Sequence, residues 1–157
     1  MSQTNELEIM ERIALDLEGV EESLASSFNT GAEDFNALIR PLSAAGGKRL
    51  RAQLCLLIAN AGTSVERERI RIAEAVEMLH LATLIHDDVL DQAEIRRGED
   101  TIHMHKGNKV AILSGDYLFA KAFQIVSEMP NMKYLQIFSH IITCLVEGEF
   151  MQMEDVY

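Results

Sequence analysis

Asp87, Asp88 and Asp91 sit directly behind an apolar run in LIHDDVLDQAEIRRG (Leu84 to Gly98), and Arg96 and Arg97 follow at once. Carboxylate oxygens are hard ligands that suit Mg²⁺, an ion that keeps waters and bridges readily to phosphate oxygens. Guanidinium groups match phosphate with paired hydrogen bonds. At ~100° per residue, Asp87 and Asp91 fall ~40° apart on a helix, so their carboxylates share one face. Like charges at that spacing repel, and acids near a helix C-terminus oppose the macrodipole. A divalent cation would offset both costs; a solvated acidic helix end is the plainer alternative. Arg96 and Arg97 could clamp an anion or simply pair with these acids.

His80 lies seven residues before Asp87, ~20° off the same stripe. A polar line of His80, Asp87 and Asp91 on an otherwise apolar helix suggests a wet cavity inside a bundle. Taken alone, His80 is more simply a satisfied core histidine. A second basic cluster, GGKRLR (Gly46 to Arg51), sets two glycines ahead of Lys48, Arg49 and Arg51. Lys48 and Arg51 project to one side at a helix start, where the helix end adds partial positive charge. That suits a diphosphate, although one such cluster on its own favours a solvated basic turn. Together the clusters suggest a chain of contacts: acids hold Mg²⁺, Mg²⁺ holds a diphosphate, and arginines hold its remaining oxygens. The apolar helix below would line a slot for a hydrocarbon tail.

The elements that must position these groups are helices. Periodicity predicts helices over about 5–28, to about Leu42, 48–61, 66–92, 109–128 and 132 to the end. Gly62 reads as a C-terminal stop, and Thr63 with Glu66 as a capping box. RRGEDTIHMHKGNK is the longest loop candidate, with part of it open to a helical reading. No strand pattern of useful length, repeat or linker appears. The expected fold is all-α: one domain over 1–157, a bundle of long antiparallel helices. Its 157 residues are 48% apolar and carry a formal charge of −11, which argues for a packed core and against nucleic acid as a bulk partner. Cys55 and Cys144 match no metal spacing and read as buried thiols in a reducing cytoplasm. The acidic, amphipathic start is unlike a secretory signal, and no apolar run approaches the ~20 residues of a membrane span.

GGKRLR, EMLHLATLIHDDVLDQAEIRRG, LSGDYLFAKAF and GEFMQME together resemble the trans-isoprenyl diphosphate synthases, or polyprenyl synthetases, of the long-chain type, in that family's order and near its spacing. The resemblance runs from about Ile39 to Glu154. It implies an isoprenoid synthase-like bundle and a prenyl transfer in which an allylic diphosphate ionises, isopentenyl diphosphate attacks the cation, and a proton leaves. Carried over position by position, Lys48, Arg51, His80 and Arg97 bind isopentenyl diphosphate. Arg96 binds the allylic prenyl diphosphate. Asp87 and Asp91 bind Mg²⁺ and Asp88 assists, so that all three serve catalysis. In the family, bulky residues one turn before the aspartates form a floor that stops chain growth. Ala82 and Thr83 occupy those positions, and their small size implies a long-chain product.

Ala52 stands where the family usually has proline. The family's second aspartate-rich motif and a lysine for the allylic diphosphate do not follow before Tyr157. The resemblance therefore implies the N-terminal portion of a longer synthase, about half of the usual bundle. Such a portion is expected to be inactive alone and to self-associate or dimerise through exposed apolar surface. A non-catalytic subunit of a heteromeric synthase is an alternative, although such partners typically lack the first aspartate motif. A terpene cyclase fragment needs no isopentenyl diphosphate site, so GGKRLR and RRG speak against it. A helical binding module without chemistry would show no Mg²⁺-dependent diphosphate affinity.

Overall fold

A computed structural model describes residues 3–28, 33–44, 47–62 and 65–155. Among these the chain forms α1 (Gln3–Ser27), α2 (Glu33–Ala44), α3 (Leu50–Asn60) and α4 (Glu66–Leu90). A two-stranded ribbon follows, β1 (Ile95–Arg96) and β2 (Glu99–Asp100), then α5 (Ile102–Lys106), α6 (Asn108–Ser127) and α7 (Met132–Asp155).

The bundle is organised around α4. Ala73, Ala75, Met78, Ala82 and Ile85 of α4 are buried, as are Ala111, Ser114, Gly115 and Ala122 of α6. Small side chains on both surfaces let two helix axes approach closely, and α6 packs along α4 more extensively than any other pair. Residue pairs give the directions. His86 meets Gly115 near one end and Arg71 meets Glu128 near the other, so α4 and α6 are antiparallel. Arg51 with His80 and Ala52 with Glu77 set α3 against α4 in the same sense. The edge-to-face pair Phe123–Phe138 joins α6 to α7. α1 runs parallel to α4, because Asp16 pairs with Arg69 while Ser23 and Ser27 reach Glu74.

α1 buries the stripe Ile13, Val20 and Leu24, and Phe28 just past its end continues it. Its polar partners are also internal. Glu74, fully buried, accepts hydrogen bonds from the hydroxyls of Ser23 and Ser27, both at 2.7 Å, and from Arg71 at 2.9 Å. A carboxylate stays buried only when so compensated.

Several expectations need correction. The longest loop candidate does include a helical stretch, α5, but it opens with a hairpin that was not expected. Arg97 (φ 54°) and Gly98 (φ 87°) form a two-residue turn with both φ positive, the kind that matches strand twist. Register pairs Ile95 with Asp100 and Arg96 with Glu99. α3 begins at Leu50 rather than Lys48, because Arg49 adopts a left-handed conformation at φ 46° and ends the helix there. α4 has Val65 at its N-cap with no side-chain cap, which is not the expected Thr63–Glu66 box; Thr63 lies outside the described residues. The two cysteines are free, but Cys55 is only half-buried and Cys144 is exposed. α6 is long and apolar enough by composition to cross a membrane. Here it buries Ala111, Leu118, Ile125 and Val126 against the rest of the bundle.

Candidate active site

Two adjoining cavities lie beside α4. The smaller, ≈130 Å³, is walled by the loop before α3, the first turn of α3, α4 and the ribbon turn. Lys48, Arg51, His80 and Arg97 all line it. The four residues that the resemblance assigns to isopentenyl diphosphate therefore surround one pocket, although they come from four separate segments of the chain. Lys48 lies outside α3, so extended loop rather than helix geometry carries it there.

A buried carboxylate assembles this pocket. Glu77, 4% exposed, accepts the backbone N–H of Ala52 at 3.0 Å and contacts Arg49 Nη1 at 3.5 Å. It thereby caps an orphan donor of the first turn of α3. Arg49 also grips Glu21 of α1 through two nitrogens. Arg49 and Glu77 thus pin the basic loop to α1 and α4. Sequence reasoning noted Arg49 only as one charge of the cluster and did not single out Glu77. Gly47 also lets Arg97 lie close to the loop, since a Cβ there would stand 3.3 Å from Arg97 Nη2.

Arg51 Nη1 lies 3.0 Å from His80 Nε2. Burial first, and then Arg51, pull the His80 imidazole below its ordinary pKa; Arg97 and Arg96 add to this, and Glu77 opposes it. His80 is therefore neutral at pH 7 and faces cations, an arrangement that an incoming anion would relieve.

The larger cavity, ≈610 Å³, runs between α4, α6 and α7. Arg51, His80, Asp87 and Glu149 supply its polar groups, and Leu90, Phe119, Ile142, Leu145, Val146 and Phe150 are among its apolar walls. Arg51, His80 and Leu84 line both cavities. Thr83 lines the groove, while Ala82 is fully buried on another face of α4 and does not. His86 also lines it, with Nε2 held 3.1 Å from the carbonyl oxygen of Ile112. Gly115 makes room for that ring, because a Cβ at this position would lie 2.2 Å from His86 Nε2.

The three aspartates differ in their surroundings. Asp87 faces the groove, and burial, then Glu149 and Asp91, push it above the ordinary carboxylate pKa, with Arg96 opposing. Asp91 is exposed at the C-cap of α4. Asp88 is buried and bonded to Arg96 Nε at 2.6 Å, so Arg96 joins an acid rather than the pocket of the other cations. Excess negative charge at Asp87, all of it on oxygen donors, fits a hard divalent cation. Among the described residues no three acid, histidine or cysteine side chains converge into a cage.

The comparisons point to one family. Residues 32–157 match the polyprenyl synthetase family. Octaprenyl diphosphate synthase of Escherichia coli is 33% identical over 148 residues, covering 94% of this chain and 46% of the relative. Heptaprenyl diphosphate synthase component 2 of Geobacillus stearothermophilus is 37% identical, covering 90% of this chain and 44% of its own length. A polyprenyl synthase from Caulobacter crescentus, solved with calcium and isoprenyl diphosphate, superposes with a TM-score of 0.85 at 36% identity. The match covers 91% of this chain and 45% of that one. The chain thus spans about half the length of the relatives it matches. With a family match over most of its length and an all-α fold shared with solved members, the chain belongs to the polyprenyl synthetase family.

Proposed function

We propose that this chain supplies the isopentenyl diphosphate pocket, the aspartate motif and part of the hydrocarbon groove of a Mg²⁺-dependent, long-chain trans-polyprenyl diphosphate synthase. One observation carries the reading: the cationic pocket and the apolar groove share Arg51, His80 and Leu84. Two substrates lying in them would meet at that wall, the alkene end of isopentenyl diphosphate toward the diphosphate-bearing carbon of the allylic substrate, which is the placement a condensation needs. Lys48, Arg51, His80 and Arg97 hold the diphosphate of isopentenyl diphosphate. Arg96 faces the allylic diphosphate, and Asp87 and Asp91 would hold Mg²⁺. The metal supplies charge stabilisation to the departing diphosphate. In the step itself the allylic C–O bond breaks and diphosphate leaves with the electron pair. The double bond of isopentenyl diphosphate then forms the new C–C bond, and a proton is lost to regenerate an alkene. Leu84 and Phe119 help to exclude water from the cation.

The heptaprenyl, octaprenyl and decaprenyl names among relatives support a long product. Thr83, one turn below Asp87, leaves the groove open there. With the groove walled by three helices of this chain, the 157 residues alone should bind diphosphate but turn over little. A heteromeric synthase is a second reading, favoured by the relative named as a component 2 and by the exposed apolar residues of α7; a homodimer would cover the same residues.

Calorimetry with isopentenyl diphosphate, and with an allylic diphosphate analogue with and without Mg²⁺, tests the assignment. The reading expects isopentenyl diphosphate binding that Arg51→Ala removes, and analogue binding that needs the metal. A chain indifferent to both ligands would be a helical binding module instead.

A further inference from the structure

Asp88 does not share the face of Asp87, since successive helical residues point ~100° apart. It is 6% exposed, and its Oδ1 accepts Arg96 Nε at 2.6 Å. Its backbone carbonyl accepts the N–H of Ala93 at 3.0 Å, drawing the chain that leads to the ribbon back onto α4. Arg96 itself is fixed in β1, paired with Glu99 across the turn at Arg97–Gly98. A guanidinium offers five donors in one plane. Engaging Nε leaves the edge formed by the two Nη nitrogens for another anion.

We propose that Asp88 is a positioning residue that holds Arg96 by Nε, so that the Nη edge meets a diphosphate, and that Asp88 is not itself a metal ligand. The proposal rests on the prenyl-transfer reading and divides the aspartate motif by task. Asp87 and Asp91 serve the cation, and Asp88 serves the arginine. An arginine ordered in advance loses less rotamer freedom when the anion arrives, and its planar fork has to be aimed to be useful.

The test measures inorganic diphosphate binding to the 157-residue chain by calorimetry, and the Mg²⁺ midpoint at saturating diphosphate. The variants are Asp88→Ala, Arg96→Ala, their double, and Asp87→Ala as comparator. Asp88→Ala and Arg96→Ala should each weaken diphosphate binding about tenfold, with the double no weaker than Arg96→Ala alone. The Mg²⁺ midpoint should stay put in Asp88→Ala and rise several-fold in Asp87→Ala. Should Asp88→Ala not fold, Asp88→Leu, which keeps the size of the side chain without an acceptor, replaces it. The Arg96 Nε–H proton resonance then reports the pairing, sharp and slow to exchange in the unsubstituted chain and lost in the variant. A Mg²⁺ midpoint displaced by the Asp88 substitution, or losses that add in full, overturns the proposal while leaving binding by the unsubstituted chain intact. An unsubstituted chain that binds no Mg²⁺–diphosphate overturns the prenyl-transfer reading and this role with it.

Discussion

His80 shows how much one side chain's surroundings add to its type. Its imidazole sits below its ordinary pKa because it is partly buried beside Arg51. In the unfolded chain it takes up a proton near pH 6.5; in the folded chain it does so only at lower pH. Its contribution is therefore fully present above pH 6.5 and is lost as pH falls from there through the folded value. Thermal melts should show His80→Gln losing less stability than the unsubstituted chain between pH 7 and pH 5.5. Diphosphate binding, in contrast, should draw a proton onto His80. Calorimetry at pH 6.5 in two buffers of different ionisation enthalpy should show an uptake that His80→Gln removes; equal uptake in both proteins would rule out His80 as the acceptor. Gly115 makes a second case. Gly115→Ala places a methyl 2.2 Å from His86 Nε2, so the ring must leave the Ile112 carbonyl. Overpacking of this kind costs ~1–3 kcal/mol, and the melt should fall accordingly with the helix content unchanged. Spacing put His80, Asp87 and Asp91 on one stripe of a helix, but only the family resemblance, and not that arithmetic, raised His80 above a core histidine. The sequence hid Glu77, Glu149 and Gly115, because their importance comes from neighbours tens of residues away.

At the scale of elements, the site depends on how two loops are tied to α4. Ala52 illustrates the tie, since its N–H donates to the buried Glu77 carboxylate. Proline, usual in the family at this position, has no such proton. Ala52→Pro removes a hydrogen bond to a charged group, worth about 1.5–3 kcal/mol, and regains about 0.4–1 kcal/mol by stiffening the unfolded chain. A net loss of roughly 1 kcal/mol is expected in denaturant melts, and an unchanged midpoint would show that Glu77 is satisfied by Arg49 alone. The positions of α3, α4, α6 and α7 followed from hydrophobic periodicity to within a few residues. The ribbon did not, because two-residue strands have no period to read; its signal was the pair Arg97–Gly98, a turn that tolerates two positive φ values. The start of α3 was misplaced for a related reason, since a left-handed Arg49 is fixed by its ion pairs with Glu21 and Glu77 and leaves no local mark.

At the scale of the molecule, the groove's far wall is the feature with the largest consequence. Leu145, Val146 and Phe150 of α7 line the cavity yet remain 45%, 48% and 64% exposed. Ile137, Ile141 and Met151 extend this apolar surface along the same helix. Monomers seldom leave a large contiguous apolar patch in water, and each Å² covered is worth ~25 cal/mol. A stable contact needs roughly 800 Å² per partner, which a helix of 24 residues can supply when its apolar side is fully used. The chain in isolation should therefore bind a hydrophobic dye and associate as its concentration rises. Phe150→Ser with Met151→Ser should reduce both dye fluorescence and the scattering mass. A long-chain prenyl diphosphate added with Mg²⁺ should displace the dye even in the absence of association, because it competes for the groove itself and not for the outer surface of α7. Dye that stays bound in the presence of that ligand, or a chain that scatters as a clean monomer with no dye signal, would mean that the groove closes on itself in solution. In that event α7 would have to pack more tightly onto α4 than it does here, and the open wall could no longer account for how a growing hydrocarbon finds room.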